Sequence, residues 1–252
     1  MMQRKKVLIT GASEGIGNAL ARQLANMGYS ITAVARNEGK LKQLLNDIGD
    51  SHSYIVADLT TESGQLIVAQ AITDNKFDLL INNAGIGAPG NFTDLPLNRY
   101  SMVVALNIEA VVKLSYAFLK TAKKGDTLVN ISSALAFFPM PTVGVYSATK
   151  AFVTSFTETL WYEQKSRGVY VLGFCPGLTS TNFSANSGGS QTKRPGIIIQ
   201  TPEQVAEEVI KALKQRKKPT VNSGLLNKTF VFMSRFMSRK AVVSMMGKVG
   251  KS

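Results

Sequence analysis

The chain of 252 residues is 44% hydrophobic and 18% charged, which suits one large α/β domain with a full core. A single cysteine, Cys175, excludes an internal disulfide and a thiolate metal cage and suits a reducing cytosol. A single histidine, His52, excludes a His-based metal cluster and disfavours a Ser-His-Asp hydrolase. The formal net charge of +13 is unevenly spread. Of the 29 Lys and Arg, 11 lie from Lys211 onward, where there is no Asp or Glu, which leaves 18 basic residues beside 16 acidic ones in the body. The first six residues are basic but lead into an apolar segment too short for a secretion signal, and no long uninterrupted apolar run reads as a membrane span. A cytoplasmic protein is therefore expected.

Residues 7–10 form a short apolar run suited to a buried parallel strand. Gly11-Ala12-Ser13-Glu14-Gly15-Ile16-Gly17 follows at once. A helical pattern then runs through Ala19, Leu20, Leu24 and Met27, with Gly28 as its stop. Strand, glycine turn and helix in this order can hold a dinucleotide, because missing side chains let backbone N–H groups reach the pyrophosphate and the helix N-terminus adds a favourable field. A tight βα turn alone would also use three glycines. Residues 31–34 read as the second strand, with Arg36 just past its end. NAD-binding units place an acid near here for the ribose 2′-OH, whereas a guanidinium can pair with a 2′-phosphate. NADP(H) is therefore expected in preference to NAD(H), with Glu14 as an opposing charge in the same region.

A second helix over 39–48 buries Leu41, Leu44, Leu45 and Ile48, and a third strand over 54–57 runs into Asp58-Leu59. After a third helix, the strand at 77–81 ends in Asn82-Asn83-Ala84-Gly85. A long helical pattern over 99–121 carries Asn107 among Val103, Val104, Leu106 and Ile108. That Asn either faces solvent or is buried with hydrogen-bond partners. The strand at 127–131 ends in Ser132-Ser133. Tyr146-Ser147-Ala148-Thr149-Lys150 opens a helix through Phe152, Phe156, Leu160 and Trp161, and the four-residue spacing sets Tyr146 and Lys150 on one face. A phenol ionises near pH 10, and an ammonium beside it favours the phenolate, so the pair makes a tunable general acid. In isolation, YxxxK reads better as two side chains snorkelling from a half-buried helix start, and it is the rest of the chain that overturns this. The strand at 169–174 leads through Cys175, read as packing, into Pro176-Gly177-Leu178-Thr179-Ser180-Thr181. Residues 184–200, rich in Ser and Gly, read as a mobile substrate lid. Thr201-Pro202-Glu203-Gln204 has capping-box spacing with Pro at the first helical position, and a short strand near Thr220-Val221 makes seven.

The TGxxxGxG loop, the NNAG stretch, Asn107, Ser133 placed 13 residues before the Tyr of YxxxK, and the PG loop cover most of the first 181 residues. In this order and spacing they resemble the short-chain dehydrogenase/reductase family. The resemblance implies a doubly wound parallel sheet (Rossmann fold) in a single domain over 1–224, with the cofactor across the C-terminal edge of the strands. It implies cofactor contacts from Gly11, Ser13, Glu14, Gly15, Ile16 and Gly17, from Arg36, from Asp58 and Leu59, and from Asn83, Ala84 and Gly85. Tyr146, Lys150, Pro176, Gly177, Thr179 and Thr181 complete that set; no metal is expected. It also implies catalytic roles. Ser133 holds the substrate carbonyl, Tyr146 is the general acid, and Lys150 lowers the Tyr pKa and holds the ribose. Asn107 kinks its helix and supports a proton-relay water.

Residues 225–252 change character and read as a basic amphipathic extension. Leu226, Phe230, Met233 and Met237 fall on one helical face, with Lys228, Arg235 and Arg239 opposite and Phe232 on the basic side. Packing on the core or on a second subunit of a homodimer or homotetramer is ranked just above peripheral membrane contact; no nucleic-acid partner is expected. Ala134, Leu135, Phe137, Phe138 and Met140 near Ser133 suggest apolar walls. The expected function is NADPH-dependent reduction of a hydrophobic ketone, aldehyde or acyl-chain carbonyl. The alternative is a membrane-binding or redox-sensing NAD(P)-binding protein with little turnover.

Overall fold

The computed structural model describes residues 4–183, 187–188 and 199–249. Most of the expected lid at 184–200 lies outside the described residues. Seven strands, β1 (Lys6–Thr10), β2 (Ser30–Ala35), β3 (Ser53–Val56), β4 (Leu79–Asn82), β5 (Thr127–Ile131), β6 (Tyr170–Cys175) and β7 (Thr220–Asn222), form one parallel sheet in the order β3-β2-β1-β4-β5-β6-β7. The chain reverses its direction of travel across the sheet between β3 and β4. The C-terminal ends of β1 and β4 therefore flank the switch point, where α/β sheets bind ligands.

The two-residue side-chain period of a strand divides the core. Val7 and Ile9 point to one face, against Leu20 and Leu24 of α1 (Gly15–Asn26), Leu41 and Leu44 of α2 (Glu38–Ile48), and Val205 and Val209 of α7 (Pro202–Gln215). Leu8 points to the other face, with Val68 and Ile72 of α3 (Glu62–Asn75), Leu114 and Phe118 of α5 (Ala110–Thr121), and Leu160 of α6 (Gly144–Gln164). Both faces are covered, which is why the strands read as continuous apolar runs. The predicted capping box at α7 is present in full: the Thr201 hydroxyl accepts from the Gln204 N–H, and the Gln204 side chain accepts from the Thr201 N–H.

The long helical pattern divides into α4 (Leu97–Val104), a π-helical turn at Ala105–Glu109 and α5. The whole stretch Leu97–Thr121 is by length and composition apolar enough to cross a membrane, with a mean hydropathy of 1.7 over its most apolar window, although Arg99, Asn107, Glu109, Lys113 and Lys120 interrupt it. Just over half of that window is buried against the sheet and its neighbours, so the apolar character serves the core.

The C-terminal extension also departs from the expected pattern. It forms α8 (Leu225–Ser234) and α9 (Arg239–Val249). The residue of α8 that is buried is Val231, on the side read as basic, whereas Leu226 and Met233 expose more than half their surface and Phe230 and Met237 about a third. Val231, Val242 and Met246 pack with Phe138 and Met140, which lie at and after the 3-10 turn Ala134–Phe137. The reason is tertiary: the helix is positioned by what β5 and the start of α6 present to it, not by its own strongest stripe.

Candidate active site

The glycine loop is held by its neighbours. The Thr10 hydroxyl accepts from the N–H groups of Asn83 (2.9 Å) and Ala84 (3.0 Å), and the Asn83 amide donates to the carbonyls of Thr10 (2.9 Å) and Gly11 (3.2 Å). The NNAG stretch thus braces the end of β1 against the end of β4 through Thr10, the first residue of the TGxxxGxG motif. Helix α1 begins without a side-chain cap at Glu14 and without an acid in its first turn. Uncapped N–H groups and the positive end of the helix field suit an anion. Gly15 has φ +58°, and a Cβ there would lie 3.2 Å from Thr181 Cγ2. The space between this loop and the PG loop is therefore a cradle that a side chain would fill, and the residues present fit a dinucleotide pyrophosphate.

At the neighbouring strand ends, Glu14 is bridged by Lys40 at 3.0 Å, and Arg36 lies 3.9 Å from Asp58. Asp58 also accepts from the Thr60 N–H and hydroxyl at 2.9 and 2.7 Å. Leu59 is buried in the core, so any cofactor contact it makes is through its backbone. Lys40 was absent from the sequence reading. It lies in the first turn of α2, where its N–H also bonds the Asn37 side chain, and a helical surface lysine carries no signal of its own.

The chemistry-bearing residues come from three elements. Ser132 and Ser133 leave β5 in opposite directions, as adjacent strand residues must. Ser132 is buried, donating to the Lys150 carbonyl at 2.8 Å and sharing a 2.7 Å hydrogen bond with Thr154. Ser133 instead accepts from the Leu135 N–H at 3.1 Å and lies close enough to the Tyr146 phenol to favour its ionised form. On α6, the Lys150 ammonium donates to the Ile131 carbonyl at 2.9 Å and lies 5.7 Å from the centre of the Tyr146 ring. Phe183 packs on the same ring at 5.5 Å between centroids. Asn107 is fully buried in the π-helical turn; its oxygen accepts from the Ile86 N–H (3.0 Å), and its amide donates to the Ile86 carbonyl (2.9 Å) and the Thr149 hydroxyl (3.1 Å). Of the two environments open from sequence, the buried and partnered one is found. A Cβ on Gly85 would lie 3.3 Å from both Asn107 Oδ1 and Lys150 Nζ, so these two groups flank one small residue.

Electrostatics here run against the expectation that Lys150 lowers the phenol pKa. Burial pushes Tyr146 up to about 12, and the nearby Ser133 hydroxyl only partly opposes this. Burial also pushes Lys150 down, to about 8. Desolvation penalises the charged form of each group and outweighs their proximity.

The PG loop is tied to the C-terminal helices. Gly177 has Asn227 of α8 so close that a Cβ would collide with the Asn227 side chain. Gln200 bonds Leu178 and Ser180 through its backbone, and its side chain meets Ser223 and Glu208. Glu208 accepts from the Gly224 N–H at 3.2 Å, immediately before α8. None of Gln200, Glu208, Ser223 or Asn227 is distinguishable in sequence from ordinary surface residues.

The short chain dehydrogenase family model matches residues 5–191, most of the chain and every element from β1 through β6. This chain belongs to the short-chain dehydrogenase/reductase family. Sulfoacetaldehyde reductase 2 of Chromohalobacter salexigens is 31% identical, over 81% of this chain and 84% of that protein. Inactive hydroxysteroid dehydrogenase-like protein 1 of Pongo abelii is also 31% identical, over 84% of this chain and 67% of its own length. Among solved structures, a short-chain dehydrogenase from Sphingobium yanoikuyae in complex with NADPH superposes with a TM-score of 0.81 at 25% identity, covering 93% of this chain and 96% of that one. As a short-chain dehydrogenase/reductase, the chain is an NAD(P)-binding oxidoreductase acting on CH–OH and C=O groups.

Proposed function

We propose that this short-chain dehydrogenase/reductase is an NADPH-dependent carbonyl reductase acting on a hydrophobic ketone, aldehyde or acyl-chain carbonyl. The observation that carries the reading is the meeting of the Ser133 hydroxyl, the Tyr146 phenol and the Lys150 ammonium beside the apolar stretch with Phe138 and Met140. When bound, the reduced nicotinamide supplies hydride to the carbonyl carbon. Ser133 donates a hydrogen bond to the carbonyl oxygen, and Tyr146 gives that oxygen its proton as negative charge develops. A protonated Lys150 stabilises the phenolate left behind. Asn107 spends its amide on Ile86 and Thr149, which makes it a clamp on the wall beside Lys150; one oxygen lone pair remains for a relay water. The cofactor would be held by Gly11, Ser13, Gly15, Ile16 and Gly17, by Asn83, Ala84 and Gly85, and by Pro176, Gly177, Thr179 and Thr181, with Asp58 available to the adenine.

Arg36 is the basis for NADPH over NADH, with Lys40 as a second cation. Two cations and two carboxylates, Glu14 and Asp58, share the region, so a 2′-phosphate must draw Arg36 from Asp58, and the preference is moderate. A charge-assisted contact is worth about 1.5–3 kcal/mol, or one to two decades in affinity. Fluorescence titration should show NADPH binding more tightly than NADH, with Arg36→Ala closing most of the gap. Equal affinities in the unmodified protein would remove Arg36 from the specificity argument.

Cofactor binding should also depend on pH. A folded-state Lys150 value of about 8 lies below that of an ordinary lysine, so the ammonium is lost as pH rises through about 8. NADPH affinity should fall across that step, and in Lys150→Arg, whose guanidinium does not titrate there, the step should vanish. A profile flat through this range in the unmodified protein would mean that Lys150 keeps its proton or does not touch the cofactor.

The direct test is NADPH oxidation against a panel of hydrophobic ketones, aldehydes and acyl thioesters. Consumption across such a panel supports the reading; NADPH binding without consumption favours a role with little turnover, a reading to which a relative named inactive lends some weight. A second copy of the chain is the expected partner.

A further inference from the structure

We infer that the outer face of the α8–α9 pair docks on an anionic lipid surface. The inner face is already occupied, since Val231, Val242 and Met246 are buried against Phe138 and Met140. The outer face is not. Leu225 is 79% exposed, Phe236 is 75% exposed, and Leu226, Phe232 and Met233 each expose more than half their surface. At 100° per residue, Leu225, Phe232 and Phe236 share one stripe of α8 and its final turn, Leu226 and Met233 flank it, and Arg235 borders it.

Charge selects the occupant. From Lys211 to the end the sequence carries 11 Lys and Arg and no acid, with Arg235, Arg239 and Lys240 exposed within or directly after the apolar stripe. In a twofold dimer built on this face, the patch would meet itself, setting cations against cations with no carboxylate of the extension to pair them. An anionic lipid headgroup layer supplies the opposite charge at the depth where a Phe, Leu and Met face buries itself.

The same helices border the site already described. Phe230 of α8 lies 4.7 Å, centroid to centroid, from Phe138, and Asn227 abuts Gly177. A docked cap would thus hold the apolar wall of the site next to the lipid, which suits a substrate that dissolves there. That consequence rests on the reductase reading; the docking itself does not.

Flotation with vesicles tests it. The full chain should float with equimolar phosphatidylcholine and phosphatidylglycerol but not with phosphatidylcholine alone, and added salt should weaken binding as the Debye length shrinks. Replacing Arg235, Arg239 and Lys240 with Gln should lower partitioning at low salt by about fivefold for each charge removed. Phe232→Ser with Phe236→Ser should abolish it, and an unchanged NADPH titration in each variant would show that the fold is intact. Three results would overturn the inference: no flotation of the unmodified chain, equal flotation on both vesicles, or flotation that ignores both sets of substitutions. So would an oligomer that dissociates in the Phe variants while vesicle binding stays the same. Lipid binding is read without turnover, so its failure and that of the reductase assignment are separable.

Discussion

Tyr146→Phe is expected to lower carbonyl reduction by 10²-fold or more, the usual size of a lost general acid, with NADPH affinity little changed. The substitution removes one oxygen from a ring that packs on Phe183 and lies beside Lys150, so the cavity keeps its shape. The direction of the pKa shift sharpens the expectation. Burial pushes the phenol up to about 12, so it is protonated at neutral pH and suited to giving a proton. Oxidation of an alcohol would need the phenolate, which the same burial disfavours. Turnover in the reducing direction should therefore be flat across neutral pH as far as Tyr146 is concerned, while oxidation should rise with pH. Near-normal reduction by the Phe variant in a stopped-flow assay of NADPH consumption would remove Tyr146 from the mechanism.

How much of this was legible in sequence depends on the range of the interaction that places each residue. The strands, the glycine turn and the α7 cap are local: apolar runs, φ demands and capping chemistry act within a few residues, and the structure follows them to within one or two positions at most ends. The choice of Ser133 over Ser132 needed the spacing to Tyr146, and strand alternation supplies the physical reason for it. Asn107 could not be resolved locally, because its partners lie 21 and 42 residues away at Ile86 and Thr149. The latch through Gln200, Glu208, Ser223 and Asn227 is similarly non-local. The phenol pKa was misjudged for a related reason. The Tyr–Lys spacing is visible in sequence, but desolvation depends on what covers the pair, and it is the larger effect. The tail failed in the opposite way: its strongest apolar stripe was read correctly from the residues, yet that stripe is not the face the fold buries.

Gly17→Ala sets two effects against each other. By helix propensity alone, Ala inside the first turn of α1 should stabilise the chain by about 0.8–1.0 kcal/mol. Gly17 is not at positive φ, unlike Gly11 and Gly15, so backbone strain offers no objection. Space does. A Cβ on Gly17 would overlap the Gly11 carbonyl and crowd the Asn83 amide that braces the same loop. One of these neighbours is backbone, so rotating a side chain cannot relieve the contact. Overpacking of this kind costs about 1–3 kcal/mol, and here the displaced group belongs to the turn that is proposed to carry the pyrophosphate. The steric term should win: a net loss of up to about 2 kcal/mol in stability by denaturant titration, together with at least a tenfold loss of NADPH affinity as the loop moves off the N-terminus of α1. Gly28→Ala is the control, since a Cβ there meets nothing within 4 Å and only the positive φ of 86° is strained. It should cost about 1 kcal/mol and leave cofactor binding alone. A Gly17→Ala protein that gains stability and binds NADPH normally would show that neither the packing of the turn nor the ligand requires glycine at this position.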